Sequence, residues 1–106
     1  MATTIPTSLG DIRAAITKGR RMSFNYLREK IVADFYLLGQ ARKTGAYVII
    51  AWCIEPGEWR LLRYALIKEL ETVGAIDIFR PDFNPRHPQI ATVDTLAFMP
   101  ARKQNN

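Results

Sequence analysis

The residues best equipped for chemistry in this chain are arginines set among aromatics, in Trp59-Arg60-Leu61-Leu62-Arg63-Tyr64. A guanidinium forks onto phosphate or carboxylate, and an aromatic face stacks a base for about 1–3 kcal/mol without choosing among sequences. The combination suits a polyanion carrying flat rings. Arg60 and Arg63 are three positions apart, so a regular strand points them to opposite faces unless a bulge intervenes. Catalytic chemistry has far less to work with. His87 is the one histidine and lies in Pro85-Arg86-His87-Pro88, with no acid, serine or cysteine at motif spacing to make it a base or a metal ligand. Asp11, Asp34, Asp77, Asp82 and Asp94 show no paired-carboxylate or metal spacing, and Gly39, Gly45, Gly57 and Gly74 form no phosphate-cradling loop. Cys53 is the sole cysteine and sits in an apolar run, which predicts an inert buried thiol. No enzyme, metal or cofactor is expected.

The elements that must position these groups follow from periodicity. Thr7 and Ser8 precede Leu9, Ile12, Ala15 and Ile16 at helical spacing, with Asp11 three after Ser8 and Lys18-Gly19 at the end, which predicts a helix over 8–18. Met22, Phe24 and Tyr26 alternate with Ser23, Asn25 and Leu27, and Lys30 to Leu38 alternates again after Arg28-Glu29, which predicts a hairpin. Gly39 to Gly45 reads as a loop tipped by Arg42 and Lys43. Ala46 to Ile54 is a β-branched and aromatic run too short to span a bilayer, read as a strand buried on both faces. Pro56-Gly57 then predicts a tight turn of type II into Trp59–Tyr64.

Ala65 to Val73 fits either a helix or a strand, and Gly74 is expected to end it. The three prolines of Phe79-Arg80-Pro81-Asp82-Phe83-Asn84-Pro85-Arg86-His87-Pro88 remove ladder donors, so an irregular arm is expected, with Ile78, Phe79 and Phe83 buried against the sheet. Ile90 to Phe98 is a weak final strand, and 100–106 a polar tail. The chain reads as one domain over 1–106: helix 8–18, β core 21–73, arm 74–99 and tail 100–106. A helix followed by short, closely spaced strands predicts a mainly β, α+β fold with a small, strongly curved sheet, because closure hides the edges that a flat sheet leaves open.

Composition sets the partner class. The 106 residues are 48% hydrophobic and 24% charged, enough for one core, with a net charge of +5 and a pI near 9.7. The surplus lies in the first half: Arg13, Lys18, Arg20, Arg21, Arg28, Lys30, Arg42 and Lys43 against Asp11, Glu29 and Asp34. Residues 51–106 balance. An uneven basic surface favours nucleic acid, though moderate positive charge also serves solubility alone. Without a transmembrane run or a secretory signal, a cytoplasmic protein with no membrane contact is expected.

Ala14-Ala15-Ile16, Arg20-Arg21-Met22-Ser23-Phe24-Asn25-Tyr26, Lys30-Ile31-Val32, Tyr47-Val48-Ile49-Ile50-Ala51-Trp52, Trp59-Arg60-Leu61-Leu62-Arg63-Tyr64 and Ile67 follow in order the pattern of the WYL domain family. The arm resembles the Phe, Arg-Pro, aromatic-Asn-Pro ending of short stand-alone members. The resemblance covers roughly residues 9–73 and implies an Sm-like or SH3-like barrel in a regulatory, ligand-sensing module that binds nucleic acid or a nucleotide-like ligand. It carries Tyr26, Lys30, Tyr47, Arg60 and Arg63 over as the groove. The sequence departs from the pattern at Ala46-Tyr47-Val48 (for Trp-Tyr-Leu), at Ala65-Leu66 (for Asp-Arg) and at Asp34 (for Pro). The helix-turn-helix that usually precedes the domain has no room before the first helix, so any nucleic acid would meet the barrel itself.

Two competing expectations stand beside this one. Tyr26 and Tyr47 could be core residues with satisfied hydroxyls, and Arg60 and Arg63 could pair with Glu55, Glu58 or Glu69. The chain would then be a protein-interaction or homo-oligomerising module with an incidental basic surface. A small anionic effector in the groove is the third possibility.

Overall fold

A computed structural model describes residues 7–97. Helix α1 spans Leu9–Thr17 and begins where the Ser8 hydroxyl accepts a hydrogen bond from the Asp11 N–H at 3.1 Å, satisfying one of the donors that a first turn leaves orphaned. Its buried stripe is Ile12, Ala15 and Ile16, the face that the spacing predicts. Gly19 at φ +62° reverses the chain into β1 (Arg20–Tyr26), which pairs with β2 (Glu29–Ala41) through a two-residue turn at Leu27 and Arg28.

Strand β2 is the spine of the fold. Its first half pairs with β1, its second half with β6 (Ile90–Leu96), and its other edge with β3 (Tyr47–Cys53). Strand β4 (Glu58–Arg63) follows the turn Ile54–Gly57, in which the Glu55–Pro56 bond is cis and Gly57 has φ +90°. A 3-10 turn over Tyr64–Leu66 leads into β5 (Ile67–Ala75), which pairs with β1. The segment that fits either a helix or a strand is therefore a strand. It runs one residue past Gly74, because β1 offers it an open ladder.

The strand order is β4-β3-β2-β1-β5, every ladder is antiparallel, and β6 adds to β2. The sheet curls far enough for the Tyr26 hydroxyl on β1 to accept a hydrogen bond from the Arg63 N–H on β4 at 2.9 Å. It is not closed into a barrel. Among the described residues no ladder joins β4 to β5, and Glu71 to Ala75 stand exposed.

Two apolar layers result. The concave face encloses Phe24, Ile31, Phe35, Leu38, Ile49 and Leu62 under α1. The convex face carries a second cluster of Leu37, Val48, Ile50 and Ile90 with Trp59, Leu61 and Phe83. The β2–β3 register slips at Tyr36, so Tyr36 and Leu37 both serve the convex side, the re-aiming that a bulge provides.

Gly39 lies inside β2 rather than in a loop. A Cβ there would meet the Thr92 carbonyl oxygen at 2.6 Å, so its glycine is what lets β6 close onto β2. The arm is irregular and packs on the convex face, with Phe79 and Phe83 half-buried. Ile78 departs from its expected burial and is 76% exposed. Phe98 and the polar tail lie outside the described residues. No helix among those described is long and apolar enough to cross a membrane.

Candidate functional site

The five residues singled out by the sequence pattern fall on both faces of the sheet. In an antiparallel ladder, residues directly opposite share a face, and alternation carries that assignment along each strand. Arg60 stands opposite Ala51 and shares the concave side with Leu62, Tyr26 and Tyr47. Arg63 stands opposite Val48 on the convex side. Lys30, next to the inward Ile31, also faces the convex side. No bulge in β4 brings the two arginines together, so a single groove holding all five is not assembled.

Tyr26 is 7% exposed, its hydroxyl is taken by the Arg63 N–H, and the Arg60 guanidinium lies 5.7 Å from its ring centroid. The ring is a support for Arg60, not an open platform for a base. Arg60 reaches Glu29 across the mouth of the sheet at 3.4 Å, a partner outside the three glutamates expected for it. Tyr47 is half-buried edge-on against Tyr64 at 6.3 Å, and the Tyr64 hydroxyl donates to the Thr7 carbonyl. These aromatics hold the rim of the concave core.

The geometry brings a different set together. Lys30 on β2 stands opposite Asn25 on β1, and Asn25 stands opposite Lys68 on β5, so the three form one row across the convex face. The lysine backbones are two strand spacings apart, about 10 Å. Neither lysine has an ion pair among the described residues, and Arg28 extends the row at the hairpin tip. Three arginines elsewhere spend their charge internally. Arg21 forks onto Asp34 at 2.9 and 3.1 Å, and Arg13 onto Asp94 at 2.8 and 2.9 Å, while Arg42 donates to the carbonyls of Pro88 and Ile90. Hydrogen bonds from Arg13 and Thr95 hold the Asp94 carboxyl down at about 2.

Beside the lysine row lies the aromatic part of the same face. Trp52 stands between Asp34 and Trp59 in one cross-strand row, and Trp59 packs edge-on against Trp52 at 5.3 Å and Tyr36 at 4.9 Å. The arm covers it. The Arg80 guanidinium lies 3.6 Å over Trp52, the Trp59 Nε1–H donates to Asp82 at 2.8 Å, and Phe83 rests on Tyr36 and Trp59. That indole hydrogen bond is the main cause lowering the Asp82 carboxyl below its ordinary value.

Sequence reasoning missed Asn25, Lys68, Trp52 and the stacked arm as one surface. Lys68 fell in the segment of undecided structure, so its face had no assignment. The available signal was Trp52 and Trp59 three residues to either side of the Glu55-Pro56 pair, which places them opposite each other if the turn is centred there. Among the described residues no cluster of His, Cys, Asp and Glu could hold a metal ion, and burial raises the Cys53 thiol above its ordinary value. Compared with known proteins, the chain matches no family model, no curated protein and no solved structure.

Proposed function

We propose that this chain is a non-catalytic regulatory binding module of the WYL type, its curved sheet a variant of an Sm-like or SH3-like barrel, and that it binds single-stranded nucleic acid or a nucleotide-like anion. The observation that carries the reading is the row Lys30–Asn25–Lys68. It sets two unpaired ammonium groups around an amide on one sheet face of a chain with net charge +5. Ammonium groups left in water gain by taking a phosphate and releasing its condensed counterions, and Asn25 can hydrogen-bond a phosphate, sugar or base edge. Arg28 and, farther along the convex face, Arg63 extend the positive track, while Arg60 over Tyr26 marks the mouth of the concave side.

The test is anisotropy of a labelled oligothymidine across a salt series. Affinity should fall steeply with salt, and Lys30→Ala and Lys68→Ala should each flatten the log–log slope by about 0.7. Affinity that ignores both salt and the lysines would sink the reading. A second reading, a protein-interaction module, is favoured by Val93 and Leu96 standing exposed on β6 and Val73 on β5. It expects a concentration-dependent mass in solution that Val93→Lys abolishes and Lys30→Ala leaves alone.

A further inference from the structure

We infer that the arm from Phe79 to Phe83 is a removable strap over a second part of the nucleic-acid surface, and that Trp52 and Trp59 beneath it are base-stacking residues competing for the same space. The inference rests on the binding reading above. Indole faces stack any base, and these two share the convex face with Lys30 and Lys68, the cations that would hold the phosphates. From Asp34, beside Trp52, to Lys30 is four residues of β2, about 13 Å. Asp34 itself is 2% exposed and tied by Arg21, so it offers no free charge against a polyanion.

The strap occupies this space in the manner of a ligand. Arg80 takes a base's position over Trp52, and Asp82 sets a carboxylate on the Trp59 N–H, where it would repel phosphate. Its attachment is by side chains. The backbone hydrogen bonds recorded between the Phe79–Phe83 stretch and the sheet reduce to the Arg80 N–H donating to the Tyr36 hydroxyl at 3.0 Å. Pro81 has no N–H to add to a ladder. The seating is also incomplete, since Arg80 Nε is buried without a hydrogen bond and its carboxylate partner Asp82 is 3.5 Å away. A segment held this way can lift while β5 and β6 on either side stay paired.

The experiment uses the full chain and its Arg80→Ala/Asp82→Asn variant. The pair removes one positive and one negative charge, so net charge stays at +5 and a gain in affinity does not come from a change in overall charge. Both tryptophans of the chain lie under the strap, so intrinsic fluorescence reports this face alone. An oligothymidine of about twelve nucleotides should bind the variant about tenfold more tightly, with strong tryptophan quenching. Lysine-dependent binding of equal strength in both proteins, with the tryptophans unquenched, would overturn the strap and leave the proposed function standing. Absence of binding by both at low salt would overturn the function itself. Circular dichroism confirms folding; if the pair unfolds the chain, Arg80→Ala and Asp82→Asn are read singly, and equal, unquenched binding by both again overturns the strap.

Discussion

A tyrosine in the concave core and a lysine on the convex face show how little residue type says about role. Tyr26 was a candidate platform, yet its hydroxyl serves β4 by accepting from the Arg63 N–H. Tyr26→Phe should cost about 1 kcal/mol in chemical denaturation, the usual loss for a partly buried donor left unmet, with oligonucleotide binding unchanged. Asp94 supplies a residue-scale pH prediction. Its folded carboxyl titrates at about 2, below the ordinary 3.8, because Arg13 and Thr95 donate to it. A depressed carboxylate stabilises above its unfolded value and loses that contribution as pH falls toward the folded one. An acid titration followed by NMR should therefore show α1 loosening from β6 between about pH 4 and 2, and Asp94→Asn should remove that step. Arg60 and Arg63 were legible as opposite-facing from their spacing alone. That Glu29 pairs with Arg60 was not legible, because the contact depends on how far the sheet curls.

At the scale of elements, glycine and proline did unequal service. Gly45 and Gly57 mark turns as expected, both with positive φ. Gly39 looked like a third turn residue and instead sits where two strands crowd. Gly39→Ala places a methyl group 2.6 Å from the Thr92 carbonyl oxygen and 2.8 Å from Ile90 Cγ2. Backbone must shift to admit it, so a loss of about 1–3 kcal/mol in thermal or urea unfolding is expected, with β6 freed from β2. The helix was legible because Ser8, Asp11 and the Ile12-Ala15-Ile16 stripe all act within a few turns. Strand β5 was not, since Leu66, Ile67, Leu70 and Val73 fit a helix while Leu70-Glu71-Thr72-Val73 fits a strand, and only the open edge of β1 decides between them.

Over the whole molecule, stability should be uneven. Strands β1 to β3 are paired along both edges and bury their concave face under α1, whereas the arm itself has few backbone hydrogen bonds. Hydrogen exchange measured by mass spectrometry should find amides of 77–88 exchanging well before those of β2 and β3. Equal protection of the two would contradict a side-chain-held arm. The charge distribution works at this scale too. Arg13, Arg21 and Arg42 fasten elements to one another, while Lys30, Lys68 and Arg28 belong to a wider set of cations without ion pairs among the described residues that also includes Lys18, Arg20, Lys43, Arg63 and Arg86.

The sequence by itself determined a mainly β chain with one N-terminal helix, a proline-broken arm and a basic surplus. Each of these rests on local period, local turn chemistry or simple composition. Only the tertiary structure decided which cations meet. Lys30, Asn25 and Lys68 become neighbours through two ladders, one of them broken by register shifts, and Arg80 reaches Trp52 by lying across the sheet. Pairing register and the path of an irregular segment depend on contacts distant in the chain, which no local pattern of residues encodes.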